Sequence, residues 1–572
     1  MTRRTLSPLL RGLRSSASAL SLFACACQPL PTPSPGRGTA TPAASASAAA
    51  SAINAEFLRD QVRALSDDQL EGRGPGTRGD AAARAYLIAR LTALGVQPGL
   101  AEHSWEQPVE LVGTKASLPK AWLFEHGTQT LSLAWWDQYI AGAGVQSATG
   151  AIDRAEVVFI GYGIEAPEYG WDDFKGHSVK GKVVLVLNND PDWDPALFAG
   201  KTRLYYGRWT YKYESAARHG AVGAIIVHTT SSAGYPFQVV QSSWGGEQFT
   251  LPSSAPSSLQ VKAWVTEQAA QSLVALSGQS LEKLQESARS RAFVPVSLGI
   301  TTSLHFDNQI ERVKTANVVG KINGADAQLR DEYVVLSAHH DHLGIGKPDA
   351  SGDVIYNGAM DNGAGLAQVL GIVQAFQALP KPAQRSLFIL LPAAEEPGLL
   401  GSQYFTEHLP VPAGRIAANL NYDCGNIWGR TRDITQVGRG KSSLDEVVAR
   451  IAASLDRTVL GDQFPDRGTF YRSDQFNFAK LGVPALYLKT GTDFIGRPAG
   501  WGKEQILSFE AHRYHQPSDQ LDPEWNFDGM VEDARFGFLT ALDIANSERL
   551  PSWTAGDEFE AARKAALSAS PH

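Results

Sequence analysis

A short apolar run, Glu332-Tyr-Val-Val-Leu-Ser-Ala338, constrains this 572-residue chain more than any other segment, and it empties directly into His339-His-Asp-His342. A run with almost no polar residue reads as a strand buried on both faces, which requires a parallel sheet covered by helices above and below. The alternation continues downstream. Residues 366–379 have helical periodicity, 385–391 form a second buried strand and 398–408 a helix. Residues 415–422 and 484–488 supply further strands, and 529–547 close with a helix. The pattern predicts an α/β fold, a mostly parallel mixed sheet flanked by helices.

The ionisable residues fall where such a sheet places its chemistry, beyond the C-terminal ends of the strands. Three histidines and an aspartate in four positions at one strand end are hard to explain as packing. A glycine-rich loop, Gly358-Ala-Met-Asp-Asn-Gly-Ala-Gly365, carries Asp361 just before a helix; alone, that acid reads as an N-cap. Glu395-Glu396 closes the next strand, and a protein tolerates two adjacent carboxylates best where a cation or a proton separates their roles. Asn421-Tyr-Asp423 ends another strand, and Tyr514-His-Gln-Pro-Ser-Asp519 is a fifth element. Together these supply His, Asp, Glu, Asp and His from separate loops on one sheet edge, a ligand set for two zinc ions sharing a carboxylate. Imidazole and carboxylate without thiolate point to a catalytic rather than a structural site.

Upstream, residues 53–94 carry helical spacing interrupted by Gly72-Arg-Gly-Pro-Gly-Thr-Arg-Gly79. Between 108 and 302 the texture changes to short strand-like runs (155–160, 182–187, 222–227) with one helical stretch at 211–219, which predicts an inserted β-rich α/β domain with no catalytic residue of its own. The expected layout is therefore a domain built from 53–107 and 303–550, the insertion at 108–302, and a C-terminal tail at 551–572. Residues 1–27 read as an export signal: Arg3, Arg4, Arg11 and Arg14 precede a short apolar stretch. Leu22-Phe-Ala-Cys25 resembles a lipoprotein cleavage box, with Cys27 close by. Residues 28–52, dominated by Pro, Ala, Ser and Thr, predict a flexible tether. The expected location is thus periplasmic, anchored in the outer membrane as a lipoprotein, or secreted, with membrane contact only through the lipid. Cys424 is the one cysteine beyond this region, so internal disulfides are not expected to hold the body together. A formal charge of −8 and the absence of a basic stripe argue against nucleic acid as a partner.

His339-His-Asp341, Asp361-Asn, Glu395-Glu396, Asp423 and His515 resemble the motif series of the co-catalytic di-zinc aminopeptidases, the family that also holds the glutamate carboxypeptidases and the transferrin receptor. Glu71-Gly-Arg-Gly-Pro-Gly-Thr resembles the N-terminal part of that domain. Phe159-Ile-Gly-Tyr-Gly-Ile and Gly220-Ala-Val-Gly-Ala-Ile-Ile-Val resemble a protease-associated domain. The resemblance implies an aminopeptidase acting on peptides. His339 and Asp423 would hold one zinc, Glu396 and His515 the other, and Asp361 would bridge both. Asp341 would orient His339 by a hydrogen bond, Glu395 would be the general base, and a cis peptide would follow Asp361. His340 and His342 match no ligand position and are read as lining the site.

The chemistry expected is attack by a water of lowered pKa, its proton passing through Glu395 to the leaving amine, with Tyr514 a candidate donor to the oxyanion. Tyr514 reads equally as structural. Ser473 and Asp474 are candidate substrate contacts, or a helix N-cap. A carboxypeptidase or dipeptidase on the same scaffold is the alternative, since Arg472, Lys489, Arg497 and Arg513 could grip a substrate carboxylate. A single-zinc glutaminyl cyclase and a non-catalytic receptor both fit less well, because no ligand is missing.

Overall fold

The computed structural model describes residues 43–195, 197–253 and 257–570. The apolar run forms the strand Tyr333–Ser337, buried along its whole length. Its side chains divide between two cores as the period of two demands. Val334 and Leu336 face Leu366, Val369, Leu387 and Ile389, while Tyr333 and Val335 face Phe388, Leu390, Phe405 and Phe478. Each such side chain contributes about 1.5–3 kcal/mol by leaving water, so a register slip that exposed one face would cost many times that.

This strand lies parallel to Ser386–Leu391 on one side and Ile416–Asn421 on the other, and the latter pairs in parallel with Ala485–Thr490. Asp433–Val437 then runs antiparallel to Ala485–Thr490 and carries the short parallel strand Thr458–Leu460. Val296–Ile322 closes the other flank antiparallel to Ser386–Leu391. Helices Ala55–Leu65, Gly365–Gln377 and Asp528–Asn546 cover one face. The parallel centre, the mixed edges and the helical cover match the expected fold class.

The insertion departs along Glu106–Ser117 and returns along Val296–Ile322, and the two strands pair antiparallel from Glu106↔Val318 to Ser117↔Asp307. The expected boundaries at 108 and 302 thus fall inside these strands. Within the insertion, Thr149–Phe159, Val183–Leu187, Gly223–His228 and Val261–Thr266 pair in parallel around their own apolar cores. The helix expected at 211–219 is Trp209–Arg218.

Two terminal expectations are corrected. The tether expected to reach residue 52 gives way to the helix Ala43–Ala50, whose Ala46, Ala49 and Ala50 are buried in the main core. Alanine is the best helix former, and its small side chain lets a helix pack close. Arg535 fixes this segment by donating to the carbonyl oxygens of Ala50 and Ile53 at 3.1 and 2.7 Å. The expected signal and the rest of the tether lie outside the described residues. The C-terminal tail also docks: Trp553 and Phe559 are buried, and the Trp553 indole donates to Gly482 O at 2.8 Å. The helix Glu560–Ser568 follows, with the Arg563 guanidinium donating to Ile416 O at 2.9 Å. Large aromatic side chains bury too much apolar area to remain a loose tail.

Candidate metal centre and its cavity

The strand ends deliver their acids and imidazoles to one cage. His339 Nε2 lies 3.2 Å from Asp361 Oδ1 and 3.8 Å from Asp423 Oδ1. His515 Nε2 lies 3.4 Å from Asp361 Oδ2 and 3.0 Å from Glu396 Oε2. The two oxygens of Asp361 therefore face two different histidines. His339 Nε2, His515 Nε2 and Asp361 Oδ1 are buried without a hydrogen bond. Buried polar atoms are nearly always satisfied, so orphans converging on one point fit cations held there. Ligand atoms of His339, Asp361 and Asp423 lie within 4.8 Å of one another, as do those of His342, Asp361 and Glu396.

The second group raises a choice between His342 and His515. The His342 Nδ1 contact goes to Glu396 Oε1 alone, whereas His515 Nε2 faces Asp361 and Glu396 together. His515 also has its other nitrogen engaged, by Ser243 Oγ at 2.9 Å. That contact engages Nδ1 and leaves Nε2 directed at the two acids, so His515 is the better ligand.

Electrostatics give the same picture. Burial pulls the His339 imidazole down, but Glu395, Asp341, Asp361 and Asp423 together lift it well above its ordinary value. His515 is likewise raised to about 10, as Glu396 and Asp361 overcome its burial. Burial works against an ionised Asp361, yet His339 and His515 hold it well below the usual range. Burial pushes Glu395 well up, reinforced by Asp423, Glu396 and Asp474 after the opposing pull of His339. A cage with this many buried anions demands positive charge.

The cage is held from behind. The peptide Asp361-Asn362 is cis, and Gly358 before it has φ 57°, where a Cβ would meet Asp361 O at 2.2 Å. Asp519 accepts the N–H groups of Met360 and Asp361 at 2.9 and 3.1 Å. From the glycine-rich N-terminal segment, Arg73 is fully buried and donates to the carbonyl oxygens of Leu65, His340, Asn357 and Gly358.

Several expectations need correction. The Asp341 carboxylate stands 3.7 Å from His339 Nδ1, which instead donates to the Asp341 main-chain oxygen at 3.2 Å. That carboxylate accepts the N–H groups of Glu395 and Glu396 at 3.0 and 3.3 Å, so Asp341 positions the two acids. His340 does not line the site: its ring bonds Asp80 Oδ1 at 2.9 Å and Leu391 O at 3.1 Å, on the face that strand alternation assigns to it. Ser473 and Asp474 lie beneath the cavity rather than on its wall. Ser473 Oγ accepts from Asn421 Nδ2 at 2.7 Å, and both Asp474 oxygens are buried without partners, so Asp474 makes no N-cap bond either. Tyr514 does line the cavity, its ring stacked on His515 at 3.9 Å.

The insertion, expected to carry no catalytic residue of its own, supplies Ser243 and forms cavity wall through Arg208, Trp209, Tyr235 and Trp244. No motif marks these positions, which lie about as far from His515 in sequence as half the chain.

A cage of imidazoles and carboxylates at the strand ends of a helix-covered α/β sheet is a donor set that could hold metal ions. Residues 317–537 match the model of peptidase family M28, the likeness that the motif series implied. It is 28% identical over 258 residues to "probable leucine aminopeptidase 2" of Aspergillus oryzae, covering 43% of this chain and 46% of that protein. It is 25% identical over 256 residues to "Probable leucine aminopeptidase" of Arthroderma otae, covering 40% of this chain and 64% of the other. Each match thus spans less than two thirds of the relative. The solved structure "Aminopeptidase from Aneurinibacillus sp. strain AM-1" superposes with a TM-score of 0.51 at 18% identity, covering 87% of this chain and 96% of that one, an agreement of fold.

Proposed function

We propose that this protein is an exported metallopeptidase that uses two zinc ions to release N-terminal residues from peptides. The observation that carries the reading is Asp361, whose two oxygens face the unsatisfied Nε2 atoms of two histidines beside the buried Glu395. His339 and Asp423 would hold one ion, His515 and Glu396 the other, and Asp361 both. Ions bound there would polarise the scissile carbonyl and lower the pKa of a water.

The remaining steps belong to the chain. Glu395, ionised once cations offset its neighbours, takes the proton of the attacking water and returns it to the leaving amine. Burial pushes the Tyr514 hydroxyl well above its ordinary pKa, so it stays protonated as a donor to the oxyanion. Asp341 keeps Glu395 and Glu396 in place through their N–H groups, and Ser243 orients the His515 ring through Nδ1. The names of the two fungal relatives support the aminopeptidase reading. The complete ligand set speaks against a non-catalytic receptor.

The inserted layer is read as a protease-associated domain that covers the cage, a reading supported by its share of the cavity wall. Export and a lipid anchor rest on the N-terminal sequence pattern. Fractionation of expressing cells tests them: the protein in the soluble cytosolic fraction alone would refute both.

The decisive assay sets free aminoacyl-anilides against N-blocked peptides, with and without chelator. Release from the free substrates only, lost to chelator and restored by zinc, is the expected result. C-terminal cleavage of the blocked peptides would replace the reading with a carboxypeptidase. Inactivity on all substrates by a protein holding two zinc ions would overturn it.

A further inference from the structure

Two arginines line the cavity that holds the cage. Arg208 comes from the insertion, immediately before the helix Trp209–Arg218, and Arg472 from the central domain, shortly before Gln475–Lys480. Among the described residues neither side chain makes a hydrogen bond or an ion pair, and Arg208 Nε is buried without a partner. Their aromatic contacts are Trp209 at 5.8 Å for Arg208 and Tyr235 at 5.2 Å for Arg472. Such contacts engage the face of a guanidinium and leave its in-plane N–H donors unused.

A third guanidinium, Arg203, is 3% exposed, and its Nε and Nη2 also lack partners. Burial depresses Arg208 to about 9, and repulsion from Arg472 and Arg203 adds to the effect. Arg203 has Asp190 and Asp466 as opposing charges and Arg472 has Glu510, which leaves Arg208 the least compensated of the three. An anion entering from the cavity would offset its burial.

Of the other cations that line the cavity, Arg467 pairs with Glu510, while Lys480 and Lys489 stand over the Phe476 and Tyr487 rings at 5.1 and 5.2 Å and lack the paired in-plane donors of a guanidinium. Arg497 stacks on Trp501 at 4.6 Å, Arg513 lies 3.5 Å from Asp522, and neither lines the cavity. Tyr514 lines the same cavity, its ring stacked on His515 at 3.9 Å. One cavity thus offers a metal-binding cage and two guanidiniums without a hydrogen bond or an ion pair among the described residues.

We propose that Arg208 and Arg472 form a carboxylate subsite, so that the preferred substrates are di- or tripeptides gripped by their free C-terminal carboxylate while the N-terminal peptide bond lies in the cage. This rests on the peptidase reading and narrows its substrate class. For a dipeptide, release of the first residue and release of the last are the same reaction. The amino- and carboxypeptidase alternatives then converge.

The test uses the zinc-loaded protein and four substrates sharing an N-terminal leucine: Leu-Ala, Leu-Ala-amide, Leu-Glu-amide and leucyl-anilide. The expected kcat/KM for Leu-Ala exceeds that for its amide by about tenfold or more, the scale of one charge-assisted contact. Arg208→Gln and Arg472→Gln each collapse that ratio, and Arg208→Lys restores part of it. A ratio within one preparation is insensitive to how much of a variant folds. Preference for Leu-Glu-amide over Leu-Ala would move the subsite from the C-terminus to an acidic side chain and overturn the short-peptide assignment. Equal rates for acid and amide, or a ratio surviving both substitutions, would overturn the subsite while leucyl-anilide hydrolysis left the peptidase reading standing. No hydrolysis of any substrate, the anilide included, would sink the peptidase reading itself.

Discussion

Arg73→Met should cost about 4 kcal/mol of stability in the metal-free protein, the middle of the 3–5 kcal/mol range for breaking a buried charge network. Arg73 is fully buried, and its guanidinium reaches His340 O at 2.8 Å, Asn357 O at 2.6 Å and Gly358 O at 3.0 Å as well as Leu65 O. Charge-assisted bonds are worth about 1.5–3 kcal/mol each, so four of them sum to a gross figure of about 6–12 kcal/mol. The net loss is smaller, because methionine keeps most of the apolar contact and carbonyl oxygens retain a second lone pair. A loss of this size is a large share of the about 5–15 kcal/mol that holds a domain folded. Urea unfolding in chelator, followed by tryptophan fluorescence, reads the change as a lower midpoint at constant slope. Because His340 and Gly358 belong to the loops bearing His339 and Asp361, zinc affinity should fall in the same variant. A loss below about 1 kcal/mol, the scale of an ordinary surface change, would show that these bonds do not hold the loops.

Glu395→Gln should retain zinc by metal analysis yet lower kcat by about 10²–10⁴, the range for a general base; a variant within tenfold of wild type would remove Glu395 from that role. Ser243→Ala should weaken zinc binding by about tenfold, as loss of a ligand's hydrogen-bond partner does, and a chelator competition showing no change would detach the insertion from the metal centre. His228 gives a pH prediction. It is 4% exposed, and burial depresses its imidazole from 6.5 to about 4, although its Nε2 donates to Tyr235 O at 3.2 Å. The folded state therefore resists protonation: stability is full above pH 6.5 and falls as pH drops towards 4, by about 3 kcal/mol from linkage. Thermal midpoints of wild type and His228→Gln across that interval check it, since the variant should lose this part of the slope.

What the sequence reveals and what it hides divide along a physical line. Tyr333–Ser337, Ser386–Leu391 and Ile416–Asn421 are legible because both faces are buried, and the ligands are legible because they sit directly at those strand ends. Asp433–Val437 is also buried throughout, but its Asp, Thr and Gln hide it among loop-like residues. The helices Leu444–Ser454 and Trp501–His512 were not anticipated either. Ser473 and Asp474 show that nearness to a motif does not say which way a turn faces. Ser243 and Arg208 lie beyond such reading altogether, because only the folding of the insertion over the cage brings them to it.

The 27-residue strand Val296–Ile322 has a mechanical consequence. Its first half is hydrogen-bonded into the insertion, through Thr149–Phe159, and its second half into the central sheet, through Ser386–Leu391. Between these halves the strand is paired with Glu106–Ser117, so the insertion that bears Arg208 and Ser243 is joined to the central sheet by a two-stranded ladder. The insertion and the central sheet thus share one hydrogen-bonded ribbon, and the cavity wall that each contributes is anchored to the same strand.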